Sequence, residues 1–302
     1  MRITVATFLL TVLSVFLYAQ EKKPVIIDAD TGNEVDDLYA VVRGVIEPSW
    51  NVVGLNATQW QASHWAVDHT MEESYRLNDI LLSYLKLSDE IVSNRGANDR
   101  LFDWGNKSQT STASAFIVKE AMKPRDEKLN VIALGALTNV ASAILDDPSI
   151  TEKIRLYWLG TTYNFDNGVM KNTDFNSVMD IQAVDVILNS DVELHIIPGN
   201  VSGKMKFYWD ETTEKFKDKY ALTDYLVDRW YNHMDAGLRS RTIWDLALIQ
   251  AVIFPDWAEE VKIKTSKERG NREIWMYKNI DAKKMRNEFF ETTLEYVKKL
   301  KD

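Results

Sequence analysis

Short apolar runs that stop at small or polar residues recur along the chain, at 25–30, 51–57, 130–135, 154–160 and 193–199. Helical periodicity fills the intervals, as at 66–85, 114–122, 136–145 and 181–188. Strands alternating with helices predict an α/β fold with a mostly parallel central sheet, covered by helices on both faces. No Gly/Ser-rich or Pro-rich linker breaks the pattern, and no repeat of about 20–50 residues appears. A single domain over 20–302 is therefore expected. Sheets of this kind bind ligands at the carboxyl ends of their strands.

One such end is unusually acidic. The run VIIDADTGNEVDDLYAV, at 25–41, places Asp28, Asp30, Asp36 and Asp37 where a strand gives way to a helix. Like charges this close raise one another's pKa, so something must offset them. A calcium loop of the helix–loop–helix type would want Gly sixth and Glu twelfth. Counting from Asp28, those places hold Asn33 and Tyr39, which removes that reading. A haloacid-dehalogenase-like phosphohydrolase also begins strand-Asp-x-Asp, but Gly32 stands where its Thr or Val belongs. Favourable helix-dipole placement accounts for Asp36 or Asp37, not for Asp28 and Asp30. A site for a hard cation accounts for more of the cluster. On a helix Asp36 and Asp37 point roughly 100° apart, so one can hold a metal while the other takes a hydroxyl.

Composition narrows the partners. The net charge of −9 argues against a nucleic-acid polymer, whose phosphates need a basic face. Absence of cysteine removes disulfides, thiolate metal sites and a Cys nucleophile. The histidines (His64, His69, His195 and His233) show no metal-ligand spacing; only His233, in the aromatic DRWYNHMD segment, is a candidate acid. At the N-terminus, Arg2, an apolar stretch to Tyr18 and the small Ala19 have the form of an export signal at 1–19. Its cleavage near Gln20 would leave a periplasmic or extracellular protein with no membrane span; a retained anchor is the rival. The sequence is silent on oligomeric state, and a homo-oligomer is compatible with it.

The acidic run resembles the N-terminal signature of the inosine–uridine-preferring nucleoside hydrolases, with Asn33, Glu34 and Val35 as extra residues before the Asp pair. The resemblance continues in order: NVVGLN (51–56), IVSNRGANDRL (91–101), VIALGALTNVA (131–141), TDFNSVMDIQAVDVIL (173–188), IPGNVSGK (197–204) and IWDLALI (243–249). It implies calcium-dependent hydrolysis of ribonucleosides to free base and ribose. The implied metal ligands are Asp30, Asp37, the Leu134 carbonyl and Asp245. An all-oxygen set of this kind suits calcium.

The same resemblance implies that Asp30 takes the proton of the attacking water. Asp36 and Asn176 would hold ribose hydroxyls, and Asp174, where many relatives have Glu, would reach the 5′-hydroxyl. Asn56 and Asn167 are further sugar contacts, although Asn167 and Gly168 reverse the family's usual order. Trp244 stands where many relatives have His, and Trp104 and Trp60 are candidate second faces for the base. An indole stacked on the base favours purines, which offer N7 and a wide π-face. Two rival readings stay open at this point: a periplasmic nucleoside- or sugar-binding protein, and a metal-dependent phosphohydrolase.

Overall fold

Each apolar run becomes a strand in the computed structural model, which describes residues 22–101, 107–234 and 237–300. Lys23–Ala29 (β1), Trp50–Ala57 (β2), Val92–Asn94 (β3), Leu129–Ala133 (β4) and Ile154–Leu159 (β5) are parallel neighbours. A hairpin, Thr162–Asn164 (β6) and Val169–Lys171 (β7), precedes Glu193–Ile197 (β8). Lys206–Tyr208 (β9) pairs with Ser240–Thr242 (β10) in a second small antiparallel ribbon. Ala258–Lys264 (β11) and Glu273–Ile280 (β12) complete the main sheet, whose order is β11-β12-β8-β5-β4-β1-β2-β3. Within that sheet, among the described residues, only β11 runs antiparallel to its neighbour.

The helices are Asp36–Val45 (α1), Thr70–Tyr84 (α2), Thr112–Ala121 (α3), Thr138–Asp146 (α4), Phe175–Met179 (α5) and Ile181–Asn189 (α6). Gly199–Ser202 (α7), Trp209–Phe216 (α8), Ala221–Asn232 (α9), Trp244–Ile253 (α10) and Ala282–Lys299 (α11) follow. Alternation along β1 divides them into two layers, as the pleat of a strand requires. Val25, Ile27 and Ala29 join the core under α1, α2, α9, α10 and α11, while Ile26 joins the core under α3, α4 and α6. From β1 the chain builds outward through β2 and β3, then returns to lay β4 on the other side of β1. That reversal opens a crevice beyond the carboxyl ends of β1 and β4, where ligands bind in doubly wound sheets.

The sequence pattern misplaced one boundary and left the C-terminal third largely unread. Helical periodicity from residue 66 predicted a longer α2, but His69 takes a left-handed backbone (φ 61°) and the helix starts at Thr70. The freed segment becomes a loop that carries Trp65 across to the crevice. β11 and β12 escaped because β11 is an edge strand of alternating charge and half-burial, which lacks the continuous apolar run of the central strands.

Two helices do most to position the crevice residues. All residues of α1 are buried, and α1 packs along α10. Near their far ends lies Arg43, only 2% exposed. Its guanidinium pairs with Glu47 at 2.8 Å and with Glu288 of α11 at 2.7 Å. Gln250 of α10 donates to the same Glu288 at 2.6 Å. This cluster ties α1, α10 and α11 into one block. Arg43→Ala leaves Glu47 and Glu288 without their cation and should cost about 3–5 kcal/mol in urea denaturation. Lys262→Ala, which removes an exposed partner of Glu273, should cost less than about 1 kcal/mol. Equal effects would remove the block from the account of how the crevice is held.

Candidate active site

The crevice is a cleft of about 450 Å³ walled by residues from loops that follow β1, β5, β7 and β8 and from the start of α10. Its floor is acidic. Asp36 and Asp37 occupy the first turn of α1, and Asp245 the first turn of α10. Each presents an oxygen within 4.8 Å of the others. Two helix N-termini therefore face the same negative cluster, which their dipoles favour. Dipoles alone are worth at most about 2 kcal/mol each, too little to hold several buried carboxylates ionised side by side.

Asp30 arrives from the end of β1. Its loop is fastened to α2: Thr31 Oγ1 donates to Asn78 Oδ1 at 2.6 Å, and Gly32 N to Ser74 Oγ at 3.3 Å. A Cβ at Gly135 would stand 2.4 Å from Asp30 Oδ1, so the carboxylate rests against a backbone that no side chain can share. Burial, then the charge of Asp36, pushes the Asp30 carboxyl up to about 8. Burial also raises Asp37, with Asp30 and Asp36 adding repulsion, and raises Asp245 beside Asp37 and Asp36. Burial raises Asp36 too, although a hydrogen bond with Asp245 offsets part of the penalty. Beneath them Asp28 is raised to about 7 by burial, although Asn139 Nδ2 donates to it at 2.9 Å.

The buried oxygens that lack any hydrogen-bond partner include Asp30 Oδ2, Asp37 Oδ1 and Asp245 Oδ1. Unsatisfied buried acceptors are costly, and three in one place call for a shared positive partner. A hard divalent cation fits this donor set, because every candidate ligand is oxygen. Asp36 stands beside this set, with an oxygen within 4.8 Å of oxygens of Asp37 and Asp245, so a hydroxyl held by Asp36 would lie next to the cation. Leu134 lies fully buried, and its carbonyl accepts from Asn176 Nδ2. A carbonyl has a second lone pair, which leaves room for a cation.

Three of the expected sugar contacts line the cleft: Asp36, Asp174 and Asn176. Asn176 also gives an amide hydrogen to the Leu159 carbonyl at 2.9 Å, so its Oδ1 is the atom left for a substrate hydroxyl. Asp174 caps α5, accepting from Ser177 N at 3.2 Å and Ser177 Oγ at 2.5 Å. The other two contacts are corrected. Asn56 is fully buried in β2, with Oδ1 accepting from Asn94 at 3.0 Å, and it stays beneath the cleft. Asn167 turns the β6–β7 hairpin and faces a separate cavity; the hairpin turn, closed by its Oδ1 accepting from Val169 N at 3.1 Å, carries it away.

Trp244 is in the cleft wall, as expected. Its indole lies over Gly203, where a Cβ would come within 2.8 Å of the ring. Trp60 is not a second face: it is 3% exposed and packs with Ala136 and Met179. His233, at the end of α9, is absent from the cleft lining. Trp104 lies outside the described residues.

Sequence reasoning missed Thr162, Gly199 and Asn200, which complete the wall, and the roles of Asn33 and Phe175. Trp65 joins the last two: its Nε1 donates to Asn33 Oδ1 at 3.0 Å while its ring stacks on Phe175 at 5.4 Å and 15°. The extra residues before the Asp pair were the visible signal, since Asn33 and Glu34 both enter the wall.

A family model described as inosine-uridine preferring nucleoside hydrolase matches residues 25–290. Among curated proteins, the chain is 24% identical over 259 residues to a probable uridine nucleosidase 2 of Oryza sativa subsp. japonica, covering 78% of this chain and 75% of that one. It is 23% identical over 261 residues to the pyrimidine-specific ribonucleoside hydrolase RihB of Escherichia coli (strain SE11), covering 78% and 80%. Among solved structures, a purine-preferring ribonucleoside hydrolase from Gardnerella vaginalis superposes with a TM-score of 0.71 at 18% identity, over 91% of this chain and 99% of that one.

The raised carboxyls fix the sign of a pH effect. Without a cation, the folded chain holds protons on Asp30 and Asp28 up to about 8 and 7, whereas the unfolded chain releases them near 3.8. Stability of chelated protein should therefore be greatest below about pH 4 as far as these groups decide it, and fall as pH rises to about 8. Added divalent cation should reverse the trend by binding only the folded, ionised site. Thermal midpoints of chelated and cation-loaded protein at pH 5, 6.5 and 8 test this. A gap that does not widen with pH would contradict it.

Proposed function

This chain belongs to the inosine–uridine-preferring nucleoside hydrolase family, whose members hydrolyse the N-glycosyl bond of nucleosides, and from that membership we propose a calcium-dependent enzyme that prefers purine ribonucleosides. The observation that carries the reading is the trio of partnerless oxygens of Asp30, Asp37 and Asp245 on the floor of a nucleoside-sized cleft. Membership decides against the binding-protein and phosphohydrolase readings.

Breaking the bond between C1′ and the base nitrogen leaves positive charge on the ribose and sends the electron pair to the base. The carboxylates around the sugar stabilise that positive charge where it develops. Asp30, with Oδ2 facing no donor, accepts the proton of the attacking water as its oxygen bonds to C1′. Asp36 and Asn176 Oδ1 hold ribose hydroxyls, and Asp174 sits at the 5′ side. Asp30, Asp37, Asp245 and the Leu134 carbonyl would hold calcium, whose fixed positive charge would keep the carboxylates ionised and make nearby water more acidic.

Trp244 supports the purine preference. Among the described residues it is the one aromatic side chain in the wall besides Phe175, and a bicyclic base covers more of an indole than a pyrimidine does. The names of the relatives at 23–24% identity carry pyrimidine and uridine activities instead. We also propose export. Residues 1–19 have the form of a signal peptide, and among the described residues no helix is long and apolar enough to cross a membrane. N-terminal sequencing of protein from its host should begin near Gln20; an intact Met1 chain in the cytosol would contradict export.

Base release from inosine, adenosine, guanosine, uridine and cytidine, with chelator and with added calcium, tests the function. Purine nucleosides should be cleaved faster, and chelation should abolish turnover. Asp37→Asn should lose calcium-dependent stabilisation, whereas Asp36→Asn should lower kcat by about 100-fold or more. Trp244→Ala should reduce kcat on purines more than it raises KM. Uridine cleaved faster than inosine would overturn the preference. Calcium-replete protein that releases no base from any of the five would overturn the proposed substrate class.

A further inference from the structure

A second cavity of about 200 Å³ adjoins the cleft and shares Glu34, Asp36 and Trp244 with it as a common wall. The two compartments differ in charge. Carboxylates line the cleft, with no Lys, Arg or His among its described lining residues. The annex brings in Lys206 and Arg241. Arg241 is fixed as a buried donor: its Nη2 donates to the Trp230 carbonyl at 3.2 Å, and its guanidinium lies 5.6 Å from the centroid of the Trp230 ring. Lys206 is exposed and reaches over the Trp244 indole, Nζ standing 5.9 Å from the ring centroid. The β9–β10 ribbon sets that position. Lys206 is paired in register with Thr242, Nζ donates to Thr242 Oγ1, and Trp244 follows two residues later.

We propose that Lys206 is the leaving-group residue of this enzyme: its ammonium stabilises the negative charge that develops on the departing base at the annex side of Trp244. The inference rests on the nucleoside hydrolase reading and assigns a role for which the cleft has no imidazole. As the C1′–N bond breaks, its electron pair passes to the base nitrogen and is delocalised onto the exocyclic carbonyl oxygens. Water oxygen bonds to C1′, Asp30 takes the water's proton, and the base leaves as an anion that is protonated by solvent after departure. Carboxylates beside the sugar and an ammonium beside the base match the two charges that heterolysis separates. An ammonium against the indole also makes a cationic base a poor partner for that ring, because the π-face already meets a cation. Within each ring class the oxo base is then the better leaving group, because its carbonyls carry negative charge well: hypoxanthine and guanine ahead of adenine, and uracil ahead of cytosine.

The test compares leaving groups. Lys206→Met and Lys206→Arg are assayed on inosine, adenosine and p-nitrophenyl β-D-ribofuranoside, whose phenolate departs readily unaided. Lys206→Met should lose about tenfold or more in kcat on inosine, with a clearly smaller loss on the p-nitrophenyl riboside, and the wild-type advantage of inosine over adenosine should shrink. Lys206→Arg should restore most of the inosine rate, since it keeps the charge. A fall of equal size on inosine and the p-nitrophenyl riboside would assign Lys206 to supporting Trp244 and overturn the proposal. So would an unchanged inosine rate. If the wild-type protein cleaves none of the three substrates, the function itself fails, which is a distinguishable result.

Discussion

Burial of several carboxylates at the facing starts of α1 and α10 is the constraint on which the molecule depends. Asp36, Asp37 and Asp245 are nearly inaccessible to water, and Asp30 closes the group from the strand side. Ionised carboxylates in such a place repel one another and lose their hydration, costs of several kcal/mol per group. The fold nevertheless invests in the arrangement. Residues of α1 are buried along its whole length, and Arg43, Glu288 and Gln250 lock its far end to α10 and α11. A rigid block thus holds the acidic ends together against their repulsion, and the donor set fits a divalent cation that would stabilise the ionised form.

The chemistry follows from where those charges lie. The cleft presents carboxylates to the sugar, and its polar wall residues are already oriented by backbone contacts, as Asn176 is by the Leu134 and Leu159 carbonyls. Such preorganisation matters because charge appears on the ribose only as the bond breaks. In the annex beyond Trp244 the sign changes, with Lys206 and Arg241 in its wall.

Much of this was legible in the sequence, for physical reasons that can be traced. Central strands are buried on both faces and so read as apolar runs, and the Asp-x-Asp at the end of the first marked the crevice directly. The Asp pair could be placed because helix starts and acidic residues coincide, whereas Asp245 was reached only through the resemblance carried by IWDLALI. Asn56 and Asn167 misled: an Asn at a strand end or a turn serves backbone and neighbouring amides as readily as a sugar. Trp60 is a core residue, a distinction that depends on which side of the loop it packs. Least legible were the contacts made across sequence distance. Trp65 reaches Asn33 and Phe175 from the loop that precedes the left-handed His69, and Lys206 meets Trp244 through the register of a three-residue ribbon. Neither pairing leaves a local pattern.

The central claim is that the buried carboxylates form a cation site that carries the hydrolysis. A crystal structure of the protein grown with calcium and ribose tests it most directly. The account predicts one calcium ion on the cleft floor, with oxygens of Asp30, Asp37 and Asp245 at about 2.3–2.6 Å and ribose hydroxyls completing its shell. Carboxylates that remain paired through shared protons, with no ion on the floor or with calcium bound elsewhere on the surface, would contradict it.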